Sequence, residues 1–441
     1  MRFSPTTITL TPGKFDALER VAGLLRARMS DNYFAYERGG EWHLGLGCHS
    51  SLVVDSKGEH ATTIIDTQEE SHTINEPLAD VARDFVSKYT NDARKVFGYV
   101  GFNYAAHARG IPYRAGRWPL LSLMVPRIEI CFSRHKVVLI GSDNEEVKEL
   151  ANLINSATSF TPNPTQSIDT RDSAEEYMAR VETALSEISD GKYTKVIPSR
   201  AVEIPKRVDM PATLLCGRRC NAPARSFSLS HKGYQATGFS PELVMSVKGG
   251  KVITEPLAGT RSRTGKDAEI ERLRQELLND PKEIVEHVMS VREAIDELKR
   301  LCPEDTVLVE DLMSVRPRGS VQHLGSTVSG FLKPERDCWD ALDVLFPSTT
   351  ASGIPKQAAL EGIQRLEQRP RELYSGAVLM IEGNKTMEAA LVLRTVFQDQ
   401  SCQWVQAGAG VIAQSTPTRE LTETREKLAS IAPFVVAEVQ R

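Results

Sequence analysis

Two segments of the chain carry pairs of glutamates at helical spacing. Glu283 and Glu286 lie three residues apart in the first segment. Glu420 and Glu423 repeat that interval near the C-terminus, with Lys427 one turn further on. Residues at this spacing share one face of a helix, and four such carboxylates could supply oxygen ligands for Mg2+ while water or substrate completes its coordination. Solvated helix faces are the simpler explanation of either pair alone.

Three further ionisable residues lie in or beside β-like runs. Lys195 alternates with apolar neighbours in residues 193–197 and could project from one face of a sheet. Glu242 follows the turn 238–241, which would place a carboxylate at the mouth of a strand. His323 lies in an apolar run, where a buried structural histidine is the ordinary interpretation. Taken singly, Lys195 and Glu242 are also explained as solvated surface groups.

Two glycine-containing loops and two side chains could bind an anion. The loops are Gly259-Thr260 and Gly408-Ala409-Gly410, where backbone N–H groups could approach a carboxylate or phosphate closely, although tight turns explain both loops as well. Arg394 offers the fork that pairs with a carboxylate, and Tyr374 could assist it. The sequence lacks the glycine-rich nucleotide motifs and the zinc-protease and serine-hydrolase signatures.

Composition narrows the class of protein. The chain has 441 residues, 54 basic and 58 acidic side chains and a formal net charge of -4, which argues against nucleic acid as a partner. Its seven scattered cysteines are best explained as reduced thiols. We find no apolar run long enough for a signal peptide or a membrane span, so we expect a cytoplasmic protein without a membrane partner.

The order of elements predicts an α+β fold. Residues 1–160 mix short β-like runs with one amphipathic segment, and residues 156–172, rich in Ser, Thr and Pro, are the strongest candidate for an internal connection. Helices and strands do not alternate strictly, which favours large antiparallel sheets over a doubly wound parallel sheet. One helical stripe is expected to be buried beside the first acid pair: Ile284, Val288, Val291, Ile295 and Leu298.

In combination, these segments resemble the chorismate-utilising family, which includes anthranilate synthase large subunits, isochorismate synthases and salicylate synthases. The N-terminal third is similar mainly through residues 97–101, whereas residues 173–441 contain the chorismate-binding region. The resemblance implies one structural domain with two packed, mainly antiparallel sheets flanked by helices. The motifs follow the family's order at 255–261, 282–287, 319–326, 351–356, 373–377, 407–410 and the Glu420, Glu423, Lys427 set.

The resemblance implies how the two carboxylates of chorismate would be bound. Mg2+ held by Glu286 and Glu423, with Glu283 and Glu420 acting through water, would bind the ring carboxylate. The enolpyruvyl carboxylate would lie against Tyr374, Arg394 and the backbone from Gly408 to Gly410, and Lys427 would lie beside the acidic cluster. Gly259, Thr260 and Thr350 complete the expected substrate-binding set.

The resemblance also implies the acid and the base. In water-using members of the family, a lysine at the position of Lys195 deprotonates the water that attacks C2, and Glu242 would protonate the departing C4 hydroxyl. These roles need pKa shifts in opposite directions, which burial and neighbouring charges can produce. Ala258 stands where one type of aminodeoxychorismate synthase has a nucleophilic lysine, so no covalent adduct is expected.

Within the family, the salicylate synthases of siderophore pathways are most similar. Similarity around the candidate catalytic residue His323 and around Thr350 and residues 373–375 supports a second step, in which isochorismate loses pyruvate without needing a further acid or base. The expected protein is a Mg2+-dependent monomer without a glutaminase partner. An isochorismate synthase that stops halfway is the alternative, and an ammonia-using synthase subunit is less favoured. Pro198 and Glu372 depart from the family pattern.

Overall fold

The structure of the protein is a computed structural model that describes residues 6–10, 16–66, 68–89, 94–156, 161–319, 321–383 and 385–439. Helices in these ranges are α1 (Ala17–Ala27), α2 (Leu78–Tyr89), α3 (Tyr104–Ala108), α4 (Asn144–Ser156), α5 (Ala174–Ser189), α6 (Met210–Cys220), α7 (Asp267–Asn279), α8 (Pro281–Leu301), α9 (Cys338–Leu345), α10 (Lys356–Leu366) and α11 (Pro417–Leu428).

The strands of the first half are β1 (Thr6–Leu10), β2 (Tyr33–Arg38), β3 (Glu41–Val54), β4 (His60–Ile65), β5 (Gln68–Thr73), β6 (Lys95–Val100), β7 (Leu121–Phe132), β8 (Val137–Gly141), β9 (Lys195–Val196) and β10 (Ser199–Glu203). Those of the second half are β11 (Arg225–His231), β12 (Tyr234–Ser240), β13 (Leu243–Lys248), β14 (Lys251–Thr254), β15 (Leu257–Ser262), β16 (Leu308–Arg318), β17 (Val321–Phe331), β18 (Gly353–Ile354), β19 (Ala377–Glu382), β20 (Thr386–Leu391), β21 (Thr395–Gln398) and β22 (Gln403–Gly408).

The fold is α+β, as the sequence predicts. Apart from the small β9–β18 pair, the strands described form one antiparallel hydrogen-bonded sheet that closes on itself, so the two sheets that we expected are joined. Strands of the N-terminal part pair directly with strands of the C-terminal part, β2 with β11 and β6 with β19. The two parts therefore share one sheet.

The connection predicted at residues 156–172 runs against the C-terminal end of the chain. Residues 157–160 lie outside the described residues. After them, Thr165 forms a bridge with Val436, and the Gln166 N–H donates to the Val435 carbonyl at 2.8 Å. The Arg200 guanidinium adds hydrogen bonds to two carbonyls just before α5. This segment is thus tied to the rest of the fold along much of its length.

Helix α8 begins and faces inward for identifiable reasons. The Asp280 carboxylate accepts hydrogen bonds from the N–H groups of Lys282 and Glu283, and Pro281 occupies the first helical position, where its missing N–H is harmless. Our predicted stripe was partly wrong. Val288 is 48% exposed, because the buried face of the helix contains Glu283, Glu286 and His287 instead.

The two departures from the family pattern have local consequences. Glu372 has a φ of +54°, in the left-handed region, which is the physical reason that glycine suits this position. Its carboxylate accepts hydrogen bonds from the N–H groups of Arg117 at 2.9 Å and Trp118 at 3.0 Å. Pro198 lies between β9 and β10, where it separates the short strand of Lys195 from the main sheet. Among the described segments, no helix is both long and apolar enough to span a membrane.

Gly98 in β6 tests how closely β6 packs against the neighbouring strand β7. A Cβ on Gly98 would lie 2.3 Å from the Ser122 carbonyl oxygen, whereas nothing lies within 4 Å of a Cβ on Gly23 in α1. We expect Gly98→Ala to lower the free energy of unfolding in urea by about 1–3 kcal/mol through overpacking. The control Gly23→Ala should raise it by about 0.5–1 kcal/mol. Equal stability of the two variants would contradict this account of β6.

Candidate active site

Most of the candidate residues line one cavity of about 60 Å³. This volume is small beside the roughly 300–1,000 Å³ of ordinary ligand pockets, so side chains of its wall have to move before a ring-sized ligand fits. Lys195, Glu283 and Glu420 lie behind this wall. The candidate residues on the wall itself are Glu242, Gly259, Thr260, Glu286, His323, Thr350, Tyr374, Arg394, Gly408, Gly410, Glu423 and Lys427.

Helices α8 and α11 each carry one glutamate pair on an inward face, and the two pairs lie close to each other. All four carboxylates are buried, with exposures from 0% for Glu420 to 7% for Glu286. Each has a cationic partner. The pairs are Glu283 with Arg261 at 2.8 Å, Glu286 with Lys195 at 3.0 Å, Glu420 with Lys282 at 3.1 Å and Glu423 with Lys427 at 2.8 Å.

The carboxylates interact strongly with one another. Burial and the nearby Glu423 charge raise the pKa of Glu420, and burial with the charges of Glu423 and Glu286 raises that of Glu283. Burial also opposes ionisation of Glu423, but the ammonium groups of Lys427 and Lys282 outweigh it and lower its pKa. Buried carboxylates this close together resist being ionised all at once, because their negative charges repel one another.

The donor set fits a hard divalent cation. Glu283 Oε2 and Glu420 Oε2 are buried and have no hydrogen-bond partner in the described structure. An orphaned carboxylate oxygen is costly, and all four ligands offer oxygen, which Mg2+ prefers. The four carboxylates do not converge on one point. In the described ranges, groups of three His, Cys, Asp or Glu side chains whose ligand atoms lie within 4.8 Å of one another are found only outside this glutamate cluster.

Lys195 is fully buried and does not reach the cavity surface. Strand β9 pairs with β18, and the Lys195 Nζ contacts Glu286 Oε1 at 3.0 Å and donates to Ser290 Oγ at 3.1 Å. Glu286 and Ser290 lie one helical turn apart on α8, so they bind the amine jointly. Glu286 itself lines the cavity and therefore stands between the amine and the space for a ligand.

Glu242 has the properties of a neutral acid. Its carboxyl group is 2% exposed, and burial raises its pKa to about 7 against the opposing effect of two hydroxyl groups. Those hydroxyls belong to Thr350 and Ser348, which both donate to Glu242 Oε1. Thr350, expected only as a substrate contact, thus also orients the acid. Near neutral pH the carboxyl group can hold and release a proton.

Arg394 is a buried cation without a carboxylate partner in the described residues. Its guanidinium is 6% exposed, donates to the Arg318 carbonyl at 3.2 Å and donates to His323 Nε2. Burial and the Arg318 charge lower the pKa of Arg394 to about 9. A buried guanidinium of this kind lacks the anion that would normally accompany it. It can bind a ligand carboxylate.

His323 supports Arg394 through its ring. Its Nδ1–H donates to the Gly259 carbonyl at 3.0 Å, which leaves Nε2 to accept from Arg394. Burial and the adjacent Arg394 lower the pKa of His323, so the ring is neutral. Both ring nitrogens are engaged within the protein. We expected a catalytic histidine at this position, and the observed geometry favours a positioning residue.

The glycines of the two loops allow close approach to the cluster. Gly259 has a φ of +70°, and a Cβ there would lie 2.8 Å from Glu283 Oε2. A Cβ on Gly410 would lie 2.4 Å from Glu286 Oε1, and one on Gly408 would lie 2.7 Å from the Pro198 carbonyl. Tyr374 Oη lies beside Gly408, as we expected for a pair that faces one ligand group.

Several residues of the site were missed by sequence reasoning. Lys282 and Arg261 bind the carboxylates, and Ser290 and Ser348 hold the base and acid candidates. Lys282 and Arg261 lie within the motifs used for the resemblance, so those motifs could have identified them. The two serines carry no local signal, since their partners are far away in sequence.

A larger cavity of about 240 Å³ lies along β10 and β22. It shares Gln406 with the smaller cavity, and its wall includes Arg180, Arg369 and Trp404. None of the four clustered glutamates and neither Lys195 nor Glu242 is among its lining residues in the described structure. We therefore place the candidate active site in the smaller cavity, whose wall includes Glu286, Glu423 and Arg394 and behind which Lys195 lies.

Known proteins resemble this chain over nearly its whole length. It is 38% identical over 437 residues to a salicylate synthase of Mycolicibacterium paratuberculosis, covering 98% of this chain and 96% of that one. It is 31% identical over 357 residues to anthranilate synthase component 1 of Methanothermobacter thermautotrophicus, covering 79% and 77% of the two chains.

Solved structures share the fold. Anthranilate synthase component I of Streptococcus pneumoniae superposes with a TM-score of 0.76 at 22% identity, covering 90% of this chain and 92% of that chain. MenF, the menaquinone-specific isochorismate synthase of Escherichia coli, superposes with a TM-score of 0.74 at 21% identity, covering 98% of this chain and 94% of that chain. The sequence profile described as chorismate binding enzyme matches residues 31–433. The chain belongs to the family of chorismate-binding enzymes.

Proposed function

We propose that the protein is a Mg2+-dependent salicylate synthase, which converts chorismate through isochorismate to salicylate and pyruvate. One observation carries the proposal. Glu242, with a pKa of about 7, and Glu286, which holds the buried Lys195, line the same cavity. The proposed acid thus lies on the cavity wall, and the proposed base lies directly behind Glu286 on that wall, which supports acid and base catalysis at this site. The similarity to a salicylate synthase over 98% of the chain supports this choice within the family.

Charge complementarity would orient the substrate. Chorismate has two carboxylates, and Arg394 is a buried cation without an anionic partner in the described residues. We assign it, with Tyr374 and the backbone near Gly408, to the enolpyruvyl carboxylate. The ring carboxylate would lie toward the acidic cluster, where Glu286 and Glu423 would hold Mg2+ directly, with Glu283 and Glu420 nearby. The ion would offset the negative charge that substrate adds to these acids.

The first step is a substitution that moves the hydroxyl group around the ring. Lys195 would accept a proton from water as the water oxygen bonds to C2, while both ring double bonds shift toward C4. Glu242 would give its proton to the C4 hydroxyl, which leaves as water. For this, the Lys195 amine must be free of its proton and of Glu286. The glutamate that would bind the metal is therefore the same group that restrains the base.

The second step needs orientation only. The C2 hydrogen would move to the methylene carbon of the side chain as the C3–O bond breaks, which releases pyruvate and leaves the aromatic ring. The neutral His323 ring accepts a hydrogen bond from Arg394. Through Arg394, His323 would help to orient the enolpyruvyl side chain of the substrate. Because this step uses no further acid or base, an isochorismate synthase that releases its product early is the second candidate. We further propose a monomeric cytoplasmic enzyme that needs no glutaminase partner.

Product identification tests the proposal. Pure protein incubated with chorismate and Mg2+, without ammonia or an added lyase, should form salicylate and pyruvate in equal amounts. A chelator should stop the reaction, and added Mg2+ should restore it. Accumulation of isochorismate alone would favour the second candidate. An aminated product that appears only when ammonia is supplied would contradict both.

Lys195 can be tested by separating the two steps. In Lys195→Ala, consumption of chorismate should fall by about 10²–10⁴, the usual contribution of a general base. Supplied isochorismate should still be converted to salicylate, because that step needs no base. The control is Lys148→Ala on α4, whose side chain is 53% exposed. Chorismate turnover near the wild-type rate would refute the role of Lys195, and equal loss of both steps would indicate a structural role.

The raised pKa of Glu242 predicts a pH-dependent cost in stability. Its pKa is about 7 in the folded protein against 4.5 ordinarily, so its protonated form stabilises the fold below pH 4.5 and this contribution is lost as pH rises through 7. Relative to wild type, Glu242→Gln should gain unfolding free energy over this range, by up to about 3 kcal/mol. Urea unfolding at several pH values measures it. Glu145→Gln, at an 85% exposed side chain, is the control, and a pH-independent difference for Glu242→Gln would contradict the assignment.

A further inference from the structure

A second group of potential metal ligands lies in the sheet, on strands that do not form the candidate active site. Glu41, His43 and Cys131 each offer one ligand atom, and these atoms lie within 4.8 Å of one another. None of the three lines the cavity of the candidate active site. In sequence, Cys131 is far from the other two, so no spacing motif identifies the group.

The strand register places the three side chains on one face. Strands β3 and β7 are antiparallel, and His43 lies directly opposite Cys131. Glu41 lies two residues before His43 on β3, and side chains two apart project from the same face. Opposed residues in antiparallel strands have their Cβ atoms only about 4.5–5.5 Å apart. The backbone pairing therefore holds the nitrogen and sulfur ligands close together.

His43 has an unusual environment. Its side chain is 5% exposed, and neither Nδ1 nor Nε2 has a hydrogen-bond partner in the described structure. Buried polar groups in folded proteins are nearly always paired, so an imidazole with both nitrogens unpaired needs an explanation. A metal ion bound by the ring would explain it. Cys131 and Glu41 offer further ligand atoms within 4.8 Å of the ring nitrogen.

The surrounding charges leave room for a cation. Arg38 is paired with Glu382 at 2.9 Å, and Lys95 lies 3.7 Å from Glu129. The nearby positive charges are thus largely offset by their own partners.

We propose that Glu41, His43 and Cys131 bind one zinc-class ion, with water completing the coordination. Imidazole nitrogen, thiolate sulfur and carboxylate oxygen together suit Zn2+, whereas Mg2+ prefers oxygen alone. Binding displaces the thiol proton of Cys131 to solvent, and the sulfur then bonds to the metal. The ion would link β3 to β7 at a point remote from the glutamate cluster. Its role is to stabilise the sheet, independently of the proposed reaction.

Thiol labelling tests the site directly in the full-length chain. Metal-free protein, kept in excess Mg2+ to occupy oxygen sites, is treated with an alkylating reagent with and without Zn2+, and each cysteine is followed by mass spectrometry. Zn2+ should slow alkylation of Cys131 about ten-fold or more, because a metal-bound thiolate is protected. Labelling of Cys48, a half-buried thiol on the same strand as His43, should not change.

Variants decide whether the group acts together. Cys131→Ser and His43→Gln should each abolish the rise in melting temperature that Zn2+ produces in the wild type, since a ligand that binds only the folded state stabilises it. Cys48→Ser should retain it. Unchanged Cys131 labelling with Zn2+ in the wild type would overturn the proposal, as would protection of Cys131 that persists in His43→Gln. Neither readout depends on turnover of chorismate.

Discussion

Four carboxylates buried in one place are the constraint on which the rest of this structure depends. Desolvated like charges repel, and each carboxylate is therefore paired with one cationic side chain. These side chains are Arg261, Lys195, Lys282 and Lys427. The compensation is incomplete, because two carboxylate oxygens remain without a partner in the described residues. Helices α8 and α11, the glycine loops and the strand of Lys195 all have geometries that this charge cluster requires.

The cluster also explains why the proposed base, Lys195, and the proposed acid, Glu242, differ so much in their surroundings. Lys195 lies inside the charged group and is held by Glu286 and Ser290. Glu242 lies at a part of the cavity wall where it accepts hydrogen bonds from two hydroxyl groups, and burial outweighs these bonds, so its pKa rises to about 7. The cavity wall and the charged group behind it thus provide two electrostatic environments, a difference that the proposed acid and base would need at a single pH.

The sequence predicted the α+β class, and helical spacing was sufficient to pair Glu283 with Glu286 and Glu420 with Glu423. It failed where the answer depended on a partner far along the chain. Val288 looked buried because the stripe was chosen by apolarity, whereas the site requires acids on the inner face. The burial of Lys195 behind Glu286, and the joining of the expected two sheets, arise from tertiary pairing that no local pattern encodes.

The pairing of β2 with β11 and of β6 with β19 has a consequence for the evolution of this chain. Tyr36 on β2 donates to Glu388 at 2.6 Å, and Glu388 in turn binds Arg225 on β11, so early and late segments share one buried polar network. A gene fragment encoding only the later part would leave the edges of β11 and β19 without their partner strands, and Glu388 without Tyr36. Shuffling of such halves between relatives should therefore be rare, and inheritance of the two as a unit is the physically favoured history.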